Sequence, residues 1–285
     1  MKIAVLLTCF NRKQKTLSCL QSLQRQSLQD MQFEVYLTDD KSLDGTYDAV
    51  KKEFPEVNIF SGTGSLFWAG GMRYTWNKAL NSDAGYYLLI NDDTVLATNA
   101  IKQLLDCVKS FKEPVICVGS TSDVKSGEIS YGGRKLKSAT GPKSYIVFSE
   151  NEVLECDLGN ANIMLVPHRI VQEIGILSED YTHGIADYDY TLKAKRAGFK
   201  VIVAPGILGN CTDDHGNNWK SSDMRLSKRI EYLYSPKGLA YKEYLIFIRR
   251  FFPKHIAPAI FKLWLKTLFP IIWDKLKNEK RYNPI

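Results

Sequence analysis

The sequence has few features of disulfide-rich, zinc-binding or secreted proteins. Its six cysteines form no Cys-x-x-Cys pair, and several lie in apolar runs such as residues 115–119. We therefore expect neither a zinc site built from cysteines nor a disulfide framework, and this cysteine usage fits a reducing compartment. The N-terminus has no apolar segment of signal-peptide length followed by a cleavage site, so we expect a cytoplasmic protein.

The sequence also lacks internal repeats, low-complexity tracts and an uninterrupted apolar run of membrane-spanning length. A spanning helix needs about 20 mostly apolar residues. Residues 256–273 are apolar, but Pro258, Lys262, Lys266 and Pro270 interrupt them. Lysines beside tryptophan and phenylalanine are typical of a helix that lies in a membrane interface or packs against protein.

Positive charge is concentrated at the C-terminal end. The net charge is +7, yet from Met224 onward there are 14 Lys or Arg against 4 Asp or Glu, so the preceding residues are slightly acidic. No common nucleic-acid-binding pattern accompanies the basic residues, and we expect no nucleic acid partner. Two interpretations remain for residues 216–285: peripheral contact with an anionic membrane, or packing on the preceding residues or on a second copy in a homodimer.

Strand and helix patterns alternate along the first half of the chain. Strands are predicted at residues 2–8, 33–38, 57–60 and 86–90, and helices at 13–25, 44–53 and 72–81. This alternation predicts a parallel sheet covered on both faces. Further strands are predicted at 115–119, 145–149, 162–167 and 200–205, and helices after 167, at 187–198 and at 224–250.

Polar side chains follow several predicted strands at the edge where ligands bind in such sheets. The most informative are Asn91, Asp92 and Asp93, which end a buried strand. Adjacent carboxylates repel each other unless a cation lies between them, and a hard divalent cation with oxygen ligands meets that need. The alternative from these residues alone is a solvated turn, or capping of the next helix by Thr94 or Asn99.

Five segments in this order resemble motifs of the family 2 glycosyltransferases with the GT-A fold, over roughly residues 1–205. After the first strand the chain reads TCFNR (8–12), similar to the family's T-x-Y-N-R, and after the second it reads TDDKSLDGT (38–46), similar to V-D-D-x-S-x-D-G-T. One branch has a W/F-x-G-G-x-N segment, which resembles FWAGGMR (67–73). The place of the D-x-D-type motif is taken by INDDT (90–94), and E-D-x-D-L-x-x-R-x-x-x-A-G is similar to DYDYTLKAKRAG (187–198).

The resemblance implies a fold and a division of the chain. The expected architecture is an α/β GT-A fold, Rossmann-like and nucleotide-sugar-binding, with a mixed, mainly parallel sheet flanked by helices and a helical C-terminal tail. Residues 1–215 would be the catalytic domain, with a nucleotide-binding half at 1–93 and an acceptor half at 94–215. Residues 216–285 would be a basic, aromatic helical extension.

The resemblance also implies roles for donor-site residues. Thr8, Asn11 and Arg12 would line the nucleotide pocket, and Asp40 would accept a hydrogen bond from the base N3–H, which suits uracil or thymine. Asp92 would contact the ribose, and Asp93 would bind Mn²⁺ or Mg²⁺. Further candidates are Arg73 for the diphosphate, His215 as a third metal ligand, His183 near donor or acceptor, and Trp68 or Trp219 against a sugar face. Against these stand a surface arginine, plain loop histidines and, for Trp68, a core tryptophan.

Asp187 would be the general base that deprotonates the acceptor hydroxyl, so that displacement at the anomeric carbon inverts its configuration. Asp189 is the competing candidate, because the family's Glu-Asp pair reads Ala186-Asp187 here. Two positions apart on a helix, the carboxylates do not share a face, so only one can meet the acceptor. We favour Asp187.

These observations predict an inverting, metal-dependent glycosyltransferase. It would move a sugar from a UDP- or dTDP-sugar to a surface glycan or lipid-linked acceptor, at the inner face of the cell membrane. A nucleotidyltransferase is the alternative enzyme class, but it needs a glycine-rich loop after the first strand, and residues 8–14 contain no glycine. A non-catalytic nucleotide-sugar-binding module is the other alternative, and it would need no general base.

Overall fold

The computed structural model describes residues 2–26, 32–212 and 224–272. Within these ranges the strands are β1 Lys2–Cys9, β2 Gln32–Asp39, β3 Asn58–Ser61, β4 Tyr86–Ile90, β5 Val95–Leu96, β6 Val115–Ser122, β7 Ile129–Tyr131, β8 Gly133–Leu136, β9 Ser144–Ile146, β10 Leu154–Glu155, β11 Leu158–Gly159, β12 Ile163–Pro167 and β13 Lys200–Asn210. The helices are α1 Lys13–Gln24, α2 Thr46–Glu53, α3 Phe67–Ala79, α4 Ala100–Lys109, α5 His168–Ile174, α6 Ala186–Arg196, α7 Leu226–Tyr234, α8 Tyr241–Phe251 and α9 Ile256–Leu268.

One large sheet organises the described residues. Its main path runs β10-β13-β6-β12-β4-β1-β2-β3, with β5 paired to β13 and β7 to β6. The strands β1 to β4 are mutually parallel, as are β6 and β13, whereas β12 runs antiparallel between β4 and β6. The expected mixed, mainly parallel sheet is therefore confirmed, and β8, β9 and β11 form a small second sheet beside it.

Apolar cores cover both faces of this sheet because side chains alternate along each strand. In β1, Ile3, Val5 and Leu7 point into one core, while Ala4 and Leu6 point into the other. The first core contains the buried faces of α1, α2 and α4, and the second contains those of α3, α5, α6 and α8. Burying a side chain such as Leu6 or Trp76 contributes about 1.5–3 kcal/mol each, so this layering fixes the strand ends in space.

The described part of the C-terminal extension is helical and packs on the preceding half. Phe247, Ile248 and Phe251 of α8 are buried in the same core as Trp76 and Tyr190. The division of the chain at residues 215 and 216 remains a prediction. Over the described ranges, no helix is long and apolar enough to cross a membrane.

Two predicted helix boundaries are wrong. The segment 224–250 is not one helix but two, α7 and α8, separated by a turn at residues 235–240. Helix α3 begins at Phe67 rather than at residue 72, so Gly70 and Gly71 are helical and not part of a loop. The reason is packing: a Cβ on Gly71 would lie 2.1 Å from Thr8 Oγ1, so only glycine lets this helix approach β1 closely.

Candidate functional site

The carboxyl ends of β4, β1 and β2 lie side by side because these neighbouring strands are parallel. Strand β12 begins at the same edge, since Ile163 pairs with Ile90. Residues 91–93 and 160–162 are therefore adjacent. The edge is the one where open α/β sheets bind ligands.

The two carboxylates that follow β4 share a cation, and Asp92 is buried. Arg12 Nη1 donates to Asp93 Oδ2 at 2.7 Å and lies 3.4 Å from Asp92 Oδ1. Lys15 Nζ is 3.8 Å from Asp93 Oδ2, and Thr16 Oγ1 donates to Asp92 Oδ2 at 3.3 Å. Burial raises the pKa of Asp92 to about 7. The positive charge of Arg12 opposes this rise and favours the ionised form of Asp92.

A buried cysteine contacts the second carboxylate. Cys211 Sγ donates to Asp93 Oδ1 at 3.4 Å and accepts from Asn162 Nδ2 at 3.1 Å. Burial raises the pKa of the Cys211 thiol to about 12, so the sulfur stays protonated. Sequence reasoning missed this residue, although it opens the polar stretch that contains His215.

The Asp92–Asp93 pair suits a hard divalent cation. Carboxylate oxygens are the preferred ligands of such ions, and few protein ligands leave positions for a diphosphate. Within residues 2–26, 32–212 and 224–272, no cluster of three or more His, Cys, Asp or Glu side chains could hold a metal. The predicted third ligand, His215, lies outside the described residues.

Asn11 connects the loop after β1 to the loop after β2 by two hydrogen bonds. Asn11 Oδ1 accepts from Leu43 N at 2.7 Å, and Asn11 N donates to Ser42 Oγ at 2.8 Å. Asn11 and Lys41 both have positive φ, 52° and 59°. Non-glycine residues in this region are strained, and such strain concentrates at functional sites.

Asp40 organises the glycine-containing loop that precedes α3. Its Oδ1 accepts from Gly64 N at 2.7 Å, and its Oδ2 accepts from Leu66 N at 2.8 Å. Thr8, at the end of β1, is buried against Gly71. The predicted nucleotide-pocket residues Thr8 and Asp40 are therefore within one packed unit, and both are more buried than a surface pocket suggests.

Trp68 joins three segments of this edge. Its Nε1 donates to Asn91 Oδ1 at 2.8 Å, and its backbone N–H donates to His183 Nδ1 at 3.4 Å. The ring of Phe67 lies edge-on to His183, with centroids 6.2 Å apart. These contacts bring the start of α3 and the segment before α6 against the end of β4.

Asp187 lies in the first turn of α6, at the same edge. Its Oδ2 accepts from Ala161 N at 3.2 Å, and its Oδ1 accepts from Tyr188 N at 2.8 Å. Burial raises the pKa of Asp187 to about 6. Ile185, just before it, has a positive φ of 69°, a further strained position beside the site.

Asp189 has a different environment. Its Oδ1 accepts from Tyr181 OH at 2.7 Å and from Arg250 Nη1 at 2.6 Å, and its side chain is only 1% exposed. Its Oδ2 is buried and has no hydrogen-bond partner among the described residues. Asp189 therefore contacts the C-terminal extension through Arg250. Asp187 instead contacts Ala161, at the sheet edge where Asp92 and Asp93 lie.

Arg73 points away from the strand ends, to the loop before α6. Its Nη1 donates to Ser178 O at 2.8 Å and to Tyr181 O at 2.7 Å. The predicted contact with a diphosphate remains a prediction. Trp219, like His215, lies outside the described residues.

A cavity of about 310 Å³ lies elsewhere, at the opposite edge of the sheet. Its lining includes Tyr86 at the start of β4, Val115 at the start of β6 and Pro167 at the end of β12. None of the candidate site residues lines it. The convergence of polar groups, rather than this cavity, marks the site.

The sequence pattern of glycosyl transferase family 2 matches residues 4–162, more than half of the chain. The chain belongs to glycosyl transferase family 2. The expected family is thus confirmed, and the matched range includes Asn11, Asp40, Asp92 and Asp93. Asp187 lies beyond it.

The chain is similar to a curated protein and to solved structures. A poly(ribitol-phosphate) beta-glucosyltransferase of Bacillus spizizenii is 24% identical over 259 residues, covering 82% of this chain and 39% of that protein. The chain thus spans about two fifths of the length of that relative. TarS 1–349 of S. aureus in complex with UDP has a TM-score of 0.57 at 16% identity, covering 90% of this chain and 72% of that one. The complex of the same TarS fragment with UDP-GlcNAc has a TM-score of 0.55 at 16% identity, covering 90% and 73%. These structures confirm the GT-A-like fold.

Proposed function

We propose that the protein is a glycosyltransferase that moves a sugar from a UDP- or dTDP-sugar to a hydroxyl of a cell-surface polymer or lipid-linked glycan. Its family supports this proposal, as do a relative named for glucosyl transfer to poly(ribitol-phosphate) and TarS structures with UDP and UDP-GlcNAc. The main observation behind the proposal is that two kinds of acidic site lie at one edge of the sheet. Asp92 and Asp93 share the cation Arg12, and the buried Asp187 lies at the same edge.

Asp187 acts as the general base in this proposal. Its pKa of about 6 leaves it ionised at neutral pH, yet high enough to accept a proton from the acceptor hydroxyl. The hydroxyl oxygen attacks the anomeric carbon from the face opposite the departing diphosphate, so the configuration inverts. Asp189 does not take this role, because its Oδ1 already accepts from Arg250 and Tyr181 and its Oδ2 is buried.

Asp93 would hold Mn²⁺ or Mg²⁺, with Asp92 beside it toward the ribose. The bound ion would stabilise negative charge on the departing diphosphate. Arg12 holds the same two carboxylates in position. Its guanidinium offsets the negative charge of the two carboxylates, and that role is the same for Mn²⁺ and Mg²⁺.

Asp40 reads the base in this proposal. Both of its oxygens already accept loop N–H groups, which fix the carboxylate in one orientation. Each oxygen keeps a lone pair, so one can accept the N3–H of uracil or thymine. A guanine base presents a different edge, and UDP or dTDP is therefore preferred to GDP.

The test is calorimetric titration with UDP, dTDP, GDP and CMP, each with and without Mn²⁺. We expect one pyrimidine diphosphate to bind, and only with the metal; Asp93→Ala should abolish that metal dependence. Binding that is equal with and without Mn²⁺ would overturn the metal site but keep the nucleotide site. Binding of none of the four would overturn the donor site.

Helix α9 and the residues after it present an apolar face that suits a membrane surface. Phe261, Phe269 and Ile271 are 66%, 53% and 59% exposed, and Lys254 and Lys262 are exposed beside them. We propose peripheral attachment to an anionic membrane at the cytoplasmic face, where a lipid-linked acceptor would reside. A second copy of the chain is the competing occupant of this face.

A further inference from the structure

A lysine of the C-terminal extension lies over the predicted nucleotide pocket. Lys237 Nζ is 5.9 Å from the ring centroid of Phe10 and 5.9 Å from that of Phe67. Phe10 follows β1 and is 42% exposed, and Phe67 opens α3 directly after Leu66, whose N–H binds Asp40. The ammonium group therefore lies beside the loop that follows β1 and the start of α3.

Lys237 forms no ion pair with a carboxylate of the described residues. Its ring contacts are weak, because an exposed cation–π interaction contributes only about 0.5–1 kcal/mol. Arg12 and Lys15 at the same edge are paired with Asp93, and Arg73 donates to backbone carbonyls. Among the described residues, Lys237 is thus a cation at this edge with ring contacts but no ion pair.

The position of Lys237 is fixed by a constrained turn at residues 235–240. Gly238 N donates to Ser235 O at 2.9 Å, and Leu239 N donates to Tyr232 O at 3.0 Å. A Cβ on Gly238 would lie 2.0 Å from Tyr232 O, and Ala240 is left-handed with φ 44°. Such strain persists only where the surrounding structure determines the conformation.

Helix α8 anchors this turn to the acceptor side of the site. Glu243 Oε2 accepts from Thr182 N at 3.0 Å, and Arg250 Nη1 donates to Asp189 at 2.6 Å. Phe247 and Ile248 are buried in the core between these two contacts. The turn is thus part of the packed molecule and not a loose tail.

We propose that Lys237 is a donor-binding residue whose ammonium contacts phosphate oxygens of the bound nucleoside diphosphate. This inference rests on the proposed function and deepens it. The C-terminal extension then completes the donor site that residues 8–93 begin. The expected ligand class is a nucleoside diphosphate, because the lysine supplies charge rather than a base-reading hydrogen bond.

Calorimetry of the Lys237→Met variant with UDP, UMP and uridine, in Mn²⁺, tests this contact. Methionine keeps an apolar stem over the rings and removes the charge. A hydrogen bond to a charged group contributes roughly 1.5–3 kcal/mol, so UDP affinity should fall about 10- to 100-fold, while uridine affinity is unchanged. Lys237→Arg should retain UDP affinity within about 3-fold, since it keeps the charge.

Lys78→Met is the matched control. Lys78 Nζ lies 5.6 Å from the Phe60 ring and 5.2 Å from the Tyr74 ring, a similar double-ring contact near β3. Its loss should leave UDP affinity unchanged. Equal weakening of uridine and UDP by Lys237→Met, or no change in UDP affinity, would overturn the phosphate contact. A wild-type protein that binds no nucleotide would instead overturn the proposed function itself.

Discussion

At the residue scale, the site contains two buried carboxylates in contrasting surroundings. Burial raises the pKa of Asp92 to about 7 and that of Asp187 to about 6. Asp92 lies beside Arg12, whereas Asp187 accepts the backbone N–H groups of Ala161 and Tyr188. A carboxylate beside other charged groups suits the binding of a cation, and one held by N–H groups can exchange a proton with substrate.

The first prediction concerns the pH dependence of transfer. A base with a pKa of about 6 is protonated in acid, so kcat/KM should fall tenfold per pH unit below about pH 6. Initial rates of UDP release between pH 5 and 8 measure this. Asp187→Asn should lower kcat by roughly 10³-fold at pH 7.5, because general base catalysis contributes about 10²–10⁴-fold. Full activity of the variant would contradict the assignment.

The second prediction is that Asp187→Asn changes stability with opposite signs in acid and base. The folded pKa lies above the ordinary value near 4, so the contribution of Asp187 is fully present below about pH 4 and is lost as pH rises through 6. Two pKa units correspond to about 3 kcal/mol, offset by about 1 kcal/mol for one lost N–H bond. The variant should therefore be more stable than wild type at pH 8, by about 1–2 kcal/mol, and less stable at pH 4.

Urea unfolding at both pH values measures this difference. Asp106→Asn is the control, since its carboxylate is exposed on α4 and pairs with Lys102 in an i,i+4 contact. An Asp187→Asn variant that is less stable than wild type at pH 8 would show that the carboxylate is not strained by burial.

Single residues of the site differ in how well the sequence predicts them. Asp92, Asp93 and Asp187 stand out because motif order and strand ends place carboxylates together. Cys211 and Lys237 do not, because their contacts with Asp93 and Phe10 join positions more than 100 residues apart. Tertiary packing alone determines those contacts, and no local pattern records them.

At the element scale, α8 braces the segment that leads into α6. Arg250 donates to Asp189 and to Asp180, while Glu243 accepts from Thr182 N. Among the residues that the structure describes, Arg250 is the cation paired with the buried Asp189. Helix α8 therefore restrains the loop whose end carries Asp187.

We expect Arg250→Met to be destabilising and to slow transfer. Removing one partner of a buried ion pair costs about 3–5 kcal/mol, and about 3 kcal/mol fits here because Arg250 is partly exposed. A displaced α6 terminus should lower kcat about tenfold while UDP affinity is kept. Thermal unfolding, calorimetry and initial rates measure these three quantities.

Arg229→Met is the comparison variant, because Arg229 lies in the same extension but donates to Thr267 O at the end of α9. It should leave kcat unchanged. A loss of kcat of the same size in both variants would show that the extension acts only through overall stability.

Elements are predicted well where periodicity is strong and poorly where packing overrides propensity. The alternating strands and helices up to β4 follow from their apolar patterns, whereas β5 and α4 are not among the predicted elements. The early start of α3 does not, since Gly70 and Gly71 weaken helix propensity and are needed for the approach to Thr8. The turn at Gly238 interrupts an otherwise helical pattern, because the chain there packs closely against Tyr232 O and leaves no room for a Cβ.

At the scale of the whole molecule, the exposed apolar face of α9 should control membrane attachment. Phe261→Glu together with Phe269→Glu places two charges on that face, which should abolish sedimentation with anionic phosphatidylglycerol vesicles while UDP binding is kept. Tyr145→Glu is the control, since Tyr145 is a half-exposed aromatic residue of β9. Unchanged sedimentation would contradict membrane attachment, and a change from dimer to monomer by light scattering would assign the face to a second copy.

The brace between α8 and α6 also has a consequence during synthesis. Arg250 is translated roughly sixty residues after Asp189. A ribosome that adds about 5–20 residues per second therefore produces the partner about 3–12 s later. Until then the ion pair between Arg250 and Asp189 cannot form. The proposed base, Asp187, is thus synthesised before the helix that restrains its loop.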